Sequence, residues 1–228
     1  MAMPCSQRFL LYADALGFKD AILAGVDLGS LASRRKAVFD DLSHLLSAFR
    51  VRHVSFSDSL FATPATECAS DSELTDLVSF GSRLLARSIE NDLPLRGAIS
   101  TGTLNWRNGD SILGEAVVDA VQWESQLEMI GIVLTPRTMR FVHAEEFTLS
   151  SLVADGMLFD PVTTKIPLKG CNTGGVRAGV VCPFWKTKSE LSGLVEHLRG
   201  LMVQSYDPRV QGLYETTIKL MLDTENSH

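Results

Sequence analysis

No stretch of this sequence approaches the ~20 consecutive apolar residues that a membrane-spanning helix needs, so no membrane span is expected. Cysteine is sparse: Cys5, Cys68, Cys171 and Cys182 form no CxxC pair. The short N-terminus holds one arginine before strand-like sequence and shows no secretory pattern, so the thiols read as free, in a reducing, cytoplasmic compartment. The histidines at 44, 53, 143, 197 and 228 lack zinc-ligand spacing. The GxxxxGK[ST] spacing of a P-loop is absent. Ser57 and Ser59 sit in no nucleophile elbow, which excludes a hydrolase triad. Positive charge is also short, with 21 Lys and Arg against 27 Asp and Glu and a formal net charge of −6. That balance disfavours a nucleic-acid coat or a polymerase-like template groove. It still permits a local anion site. There is no internal repeat, low-complexity segment or obvious linker.

What is present suits one packed domain: 228 residues, 45% of them hydrophobic. We read residues 1–228 as a single domain, with a core over about 8–185 and a helical extension over about 186–228. Phe9 to Ala13 is a strand-length apolar run that ends at Asp14, with Gly17 close behind. Leu28 to Phe49 has helical apolar spacing, which puts Arg34, Arg35 and Lys36 on the opposite, solvated face. Val51–Phe56 and Ser59–Thr63 read as strands around a tight turn at Ser57–Asp58. A helix from Ser72 to about Glu90 follows, then a strand through LPLRGAISTGTLNW. Asn108–Gly109 is a hairpin signal, with the return strand starting at Ile112. Helix Gly114–Met129, strand Ile130–Leu134, a strand within Val176–Cys182 and helices over 189–203 and 208–222 complete the chain. The order β-α-β-β-α-β-β-α-β predicts an α+β fold, a mixed or antiparallel sheet with helices on one face.

Two carboxylates stand out. Asp is a poor strand residue, and a buried carboxylate is costly unless it is paired or binds a cation. Asp14 ends the first strand and Asp58 tips a hairpin. If these strands are neighbours, both carboxylates can point at one spot, and the repulsion between them is relieved by a divalent cation. Mg²⁺ and Mn²⁺ favour carboxylate with phosphate oxygens. After Asp14, the backbone of Leu16, Gly17 and Phe18 turns into a helix, an arrangement that suits phosphate. Arg96 and Lys169, each followed by glycine, can clamp a triphosphate. Taken singly, each has an ordinary alternative: Asp14 as a helix cap, Asp58 as a turn residue, the two cations as surface charges.

The segments LLYADALGF, SFSDSLFA, LRGAISTG, ILGEAVVDAVQWES and IPLKG occur in the order seen in class III nucleotidyl cyclases, over about residues 8–170. This resemblance implies a ferredoxin-like α+β sheet and a homodimer with its active sites between subunits. It implies two Mn²⁺ or Mg²⁺ ions per site held by Asp14 and Asp58, phosphate contact by Arg96 and γ-phosphate contact by Lys169. The family's helix Asn and Arg fall on Val118 and Gln122, and its purine-reading Lys and Asp near Val54 and Ser111, so neither pair is retained. Val54 and Ser111 then mark the base pocket. The helix GEAVVDAVQWES resembles that of the pyrimidine cyclases of bacterial Pycsar anti-phage systems. That implies conversion of UTP to cyclic UMP, or of CTP to cyclic CMP, and a separate effector activated by the product. A non-catalytic nucleotide sensor is the competing expectation. Arg107 is a candidate for transition-state charge across the dimer or a solvated turn residue. Trp106 and Trp123 are base-pocket walls or packing residues, and His53 reads as structural.

Overall fold

The computed structural model describes residues 7–23, 25–40, 42–107, 111–162, 164–170, 175–183, 188–205 and 207–225. The N-terminal apolar run forms β1 (Arg8–Ala15), which lies between two antiparallel neighbours, β3 (Ser59–Pro64) and β4 (Leu95–Gly102). β2 (Val51–Phe56) pairs with β3 on the far side. Beyond β4 the sheet continues through β7 (Gly131–Leu134), β11 (Val180–Val181) and β8 (Leu158–Phe159), giving the order β2-β3-β1-β4-β7-β11-β8. Only the β4–β7 pairing is parallel among these. Two short ribbons stand apart: β5 (Asn105–Arg107) with β6 (Ser111–Leu113), and β9 (Lys165–Ile166) with β10 (Val176–Arg177).

Helices cover both faces, not the single face that the sequence order predicts. Side chains alternate along a strand, so Phe9, Leu11 and Ala13 enter one core while Leu10 enters another. In the first core α4 (Asp71–Glu90) contributes Leu74, Leu77, Phe80 and Leu84. Around it lie α1 (Phe18–Leu23), α2 (Leu28–Arg35), α3 (Ser43–Ala48), α6 (Pro136–Ala144) and α7 (Ser150–Ala154). In the second core α5 (Glu115–Gln126) lays Ala116 and Ala120 over β1 and β4. The C-terminal α8 (Lys188–Gln204) and α9 (Pro208–Glu225) close that core with Leu194, Leu198, Leu213 and Met221. The Thr217 hydroxyl fastens α9 to Ile130, accepting its N–H at 2.9 Å and donating to its carbonyl at 3.0 Å. No helix among the described residues is long and apolar enough to cross a membrane.

Three boundaries differ from the sequence pattern. Leu28–Phe49 is not one helix: a π-helical turn over Lys36–Asp40 separates α2 from α3 and buries the adjacent Val38 and Phe39 together. The strand after Pro94 breaks at Thr103, whose carbonyl packs so tightly on Gly114 that a Cβ there would lie 2.0 Å away. Val176–Cys182 divides between two sheets. The Asn108–Gly109 turn lies outside the described residues, although β5 and β6 pair across it. Cys68 is exposed and Cys182 buried, neither in a disulfide; Cys5 and Cys171 are outside the described residues.

One part of the second face stays open. Tyr12, Phe61 and Val54 are only half-buried there, and Phe56 is 80% exposed.

The glycine after Arg96 exists for close strand approach: a Cβ on Gly97 would sit 2.4 Å from the Tyr12 carbonyl oxygen. Gly97→Ala is therefore expected to lower stability by about 1–3 kcal/mol, the usual cost of overpacking. Urea denaturation measures it, and unchanged stability would contradict the β1–β4 fit.

Candidate active site

The register of β1 builds the site. Asp14 stands opposite Ser59 on β3 and opposite Arg96 on β4. Asp58, one residue before Ser59, occupies the turn between β2 and β3, and its carbonyl accepts the Ala15 N–H at 2.9 Å. Ser57 gives the turn its left-handed residue, with φ of 54°. The Ser59 hydroxyl donates to Asp14 Oδ1 at 2.7 Å, and the Tyr12 hydroxyl lies 3.2 Å from Ser59 Oγ. Asp14 caps no helix, because α1 starts only at Phe18.

Burial pushes the Asp14 carboxyl above the usual aspartate range, and the charge of Asp58 adds to that push. The Ser59 hydroxyl and the Arg96 guanidinium act the other way. Burial likewise raises the Tyr12 phenol to about 12, which keeps it a neutral hydrogen-bonding group.

Arg96 is held from its other side by α5. Its Nη2 lies 2.8 Å from Glu124 Oε1, and its Nη1 donates to the Leu127 carbonyl at 3.2 Å. Its Nε is buried with no partner. Lys169 reaches the same helix end: Nζ donates to the Ser125 carbonyl, and the Lys169 N–H to the Gln126 carbonyl at 2.9 Å. Partial burial lowers the Lys169 pKa, and the charges of Arg96 and Arg209 lower it further. Charges thus alternate through Asp14, Arg96, Glu124 and Lys169.

Glu124 escapes the sequence reading. It is 5% exposed, and burial raises its pKa while Arg96 opposes the shift and Asp14 reinforces it. A signal was available: Ala116, Ala120 and Glu124 recur every four residues and share the buried face of α5. An ionisable group on such a stripe needs a partner.

Other expected site residues are placed differently. The Leu16 N–H is committed to the Pro94 carbonyl at 2.8 Å, so it is no phosphate donor. That leaves Gly17, at φ of 74°, and Phe18 at the start of a six-residue helix. Val54 lies on β2 opposite Phe61, half-buried, while exposed Ser111 belongs to the separate β5–β6 ribbon. Trp106 and Trp123 pack against the second core. His53 alternates away from Val54 toward the Phe39 backbone, and burial lowers its pKa. The Arg107 side chain is outside the description. Val118 is 68% exposed and Gln122 is exposed on the outer side of α5.

Among the described residues no group of three or more His, Cys, Asp or Glu can hold a metal ion. Asp14 and Asp58 therefore form no closed protein cage. Two carboxylates, one of them destabilised in its ionised form by the other, fit Mg²⁺ or Mn²⁺, which take one or two carboxylates and complete their shell with phosphate and water.

No protein-family model and no curated protein matches the sequence. Solved structures do match the fold. The adenylyl cyclase CyaB from P. aeruginosa superposes with a TM-score of 0.55 at 16% identity, covering 79% of this chain and 95% of that one. The catalytic core of a rhodopsin-guanylyl cyclase with converted specificity, in complex with ATPαS, gives 0.54 at 13% identity over 79% and 97%. The guanylate cyclase domain of RhGC from Catenaria anguillulae, in complex with GTP, gives 0.52 at 14% identity over 81% and 100%. The chain has the class III nucleotidyl cyclase fold.

The raised pKa of Glu124 fixes a sign. A carboxyl whose folded-state pKa exceeds its unfolded value stabilises the fold at acid pH and loses that contribution as pH rises through the folded value. Relative to Glu124→Gln, the wild type is expected to be most favoured at acid pH and to lose that advantage towards neutrality. Paired denaturation curves across pH check this; a difference that grows with rising pH contradicts it.

Proposed function

We propose that this chain is a nucleotidyl cyclase that converts UTP to 3′,5′-cyclic UMP and diphosphate. The observation that carries this reading is the placement of Asp14 on β1 beside the β2–β3 turn that holds Asp58, with Arg96 opposite Asp14 on β4. Asp14 and Asp58 would hold Mn²⁺ or Mg²⁺. Such ions, when bound, acidify the ribose 3′-hydroxyl and neutralise phosphate charge. Ser59 orients the Asp14 carboxylate through its hydroxyl. Arg96, braced by Glu124 and the Leu127 carbonyl, presents a fixed guanidinium for triphosphate oxygens. Lys169 adds a second cation for the terminal phosphate. The 3′-oxygen attacks the α-phosphorus, the bond to the β-phosphate oxygen breaks, diphosphate leaves and the hydroxyl proton passes to water. Positioning and electrostatics supply the rate.

The pyrimidine assignment rests on the resemblance. Val118 and Gln122 stand where purine cyclases carry Asn and Arg, and Val54 and Ser111 where they carry the purine-reading pair. CTP is the alternative substrate. The outer side of α5 exposes Val118 and Val121, the open sheet face Phe56, and the β5–β6 ribbon Leu113. An apolar surface of this kind suits a second copy of the chain. On that surface we propose a homodimer; the resemblance further implies cyclic UMP as messenger to a separate effector in anti-phage defence. The replaced Asn and Arg positions also support a second reading, a non-catalytic nucleotide sensor.

Incubation with Mn²⁺ and each of ATP, GTP, CTP and UTP, with products separated by mass, tests the proposal. Cyclic UMP from UTP is expected; cyclic CMP from CTP keeps the chemistry and changes the base. No product from a verified dimer favours the sensor. Asp14→Ala and Asp58→Ala are each expected to lower turnover by at least ~10²–10³, the cost of a key electrostatic group. Near-normal rates in either variant would end this mechanism.

A further inference from the structure

The basic triplet at the end of α2 is only in part the solvated face that its spacing suggests: Lys36 is exposed, but the two arginines are engaged. Arg34 pairs with Asp92, and Arg35 reaches across to the β2–β3 hairpin. The Arg35 Nε donates to the Ser57 carbonyl. Its Nη1 binds both Asp40 oxygens, at 2.9 and 3.0 Å, and its Nη2 donates to Ser55 Oγ at 3.1 Å. The guanidinium carbon lies 5.7 Å from the centroid of the fully buried Phe39 ring. With 21% of its side chain exposed, Arg35 is a fixed strut from helix to hairpin.

The strut meets the hairpin at a sensitive place. Ser57 is left-handed, an uncommon conformation away from glycine. Its carbonyl belongs to the same peptide group as the Asp58 N–H, and peptide groups are planar. A donor on that carbonyl therefore fixes the plane from which the Asp58 side chain departs. The next peptide is fixed by β1, where Ala15 N–H binds the Asp58 carbonyl at 2.9 Å. The turn is thus held by both β1 and Arg35.

The π-helical turn makes this brace possible. Residues five apart on an α-helix point roughly 140° away from each other at 3.6 residues per turn. Arg35 and Asp40 are five apart, yet the Arg35 Nη1 reaches both Asp40 oxygens. A π-helical turn, with bonds running i→i+5, brings such residues to one side, and turns of this kind recur at functional sites.

We propose that Arg35 is a positioning residue for the candidate cation site. It holds the Ser57–Asp58 peptide so that the Asp58 carboxylate meets that of Asp14, and Asp40 in turn holds Arg35. This rests on the cation placement proposed above. Lysine cannot take over the role, because one ammonium on a flexible stem does not match a planar fork that serves three groups at once.

The test is Mn²⁺ binding to the full chain without nucleotide, followed by the electron paramagnetic resonance of free Mn²⁺. Wild type, Asp58→Asn, Arg35→Gln, Arg35→Lys, Asp40→Asn and the Arg35→Gln/Asp58→Asn pair are compared. Arg35→Gln and Arg35→Lys are each expected to weaken Mn²⁺ binding by about tenfold, as loss of an outer partner of a metal ligand does. Asp40→Asn has a smaller effect in the same direction. Arg35→Gln adds nothing once Asp58 is gone, whereas a merely structural role would leave its effect intact there. Should Arg35→Gln fail to fold, Arg35→Lys and Asp40→Asn decide by the same measure. Mn²⁺ binding that is absent in the wild type or unchanged in Asp58→Asn overturns the cation site itself. Binding lost in Asp58→Asn but kept within about twofold in the folded Arg35 and Asp40 variants overturns the positioning role alone.

Discussion

Asp14 and the turn that carries Asp58 adjoin in a partly buried place, close enough for the two charges to act on each other, and much of the surrounding structure answers to that. β1 lies between β3 and β4, so Asp14, next to its last residue, is flanked by the Asp58 turn and by Arg96. Bringing like charges together away from water is unfavourable. The cost shows in the raised pKa of Asp14. Folding alone gains nothing from the arrangement. A ligand with positive charge does, and for that reason the two aspartates carry the functional reading.

Around this pair the protein distributes compensation in layers. The Ser59 hydroxyl satisfies one oxygen of Asp14. Arg96 offsets its charge and is held in turn by the buried Glu124. Lys169 follows at the end of α5. On the other flank Arg35, Asp40 and Ser55 form a small polar network that stiffens the hairpin. A buried ion pair such as Arg96–Glu124 adds little net stability. Its value here lies in orientation, since a guanidinium with few accessible rotamers can meet phosphate without first being ordered.

Much of this was legible in the sequence. An aspartate at the end of a dense apolar run, and another in the middle of a strand pair, contradict local propensity, and such contradictions mark sites. The hairpin around Ser57–Asp58 and the end of α4 at Glu90 also follow from local pattern. The rest depends on contacts that periodicity does not encode. The apolar spacing of Leu28–Phe49 runs on through one π-helical turn, so the break and the inward turn of Arg35 stay hidden. The Leu16 amide looked free because its acceptor, Pro94, is remote in sequence. Glu124 lies inside because it shares the four-residue spacing of Ala116 and Ala120, a small-residue stripe that gives a weak apolar signal. Helices on both faces reflect α5, α8 and α9, whose place on the second core only the tertiary structure reveals.

The central claim is that Asp14 and Asp58 are there to share a divalent cation. Crystals grown with Mn²⁺ and UTP, measured at a wavelength where manganese scatters anomalously, test it most directly. An anomalous peak coordinated by both carboxylates, with the triphosphate reaching toward Arg96, is the result expected. Bound nucleotide with both aspartates free of metal, or manganese lodged elsewhere on the protein, would contradict it.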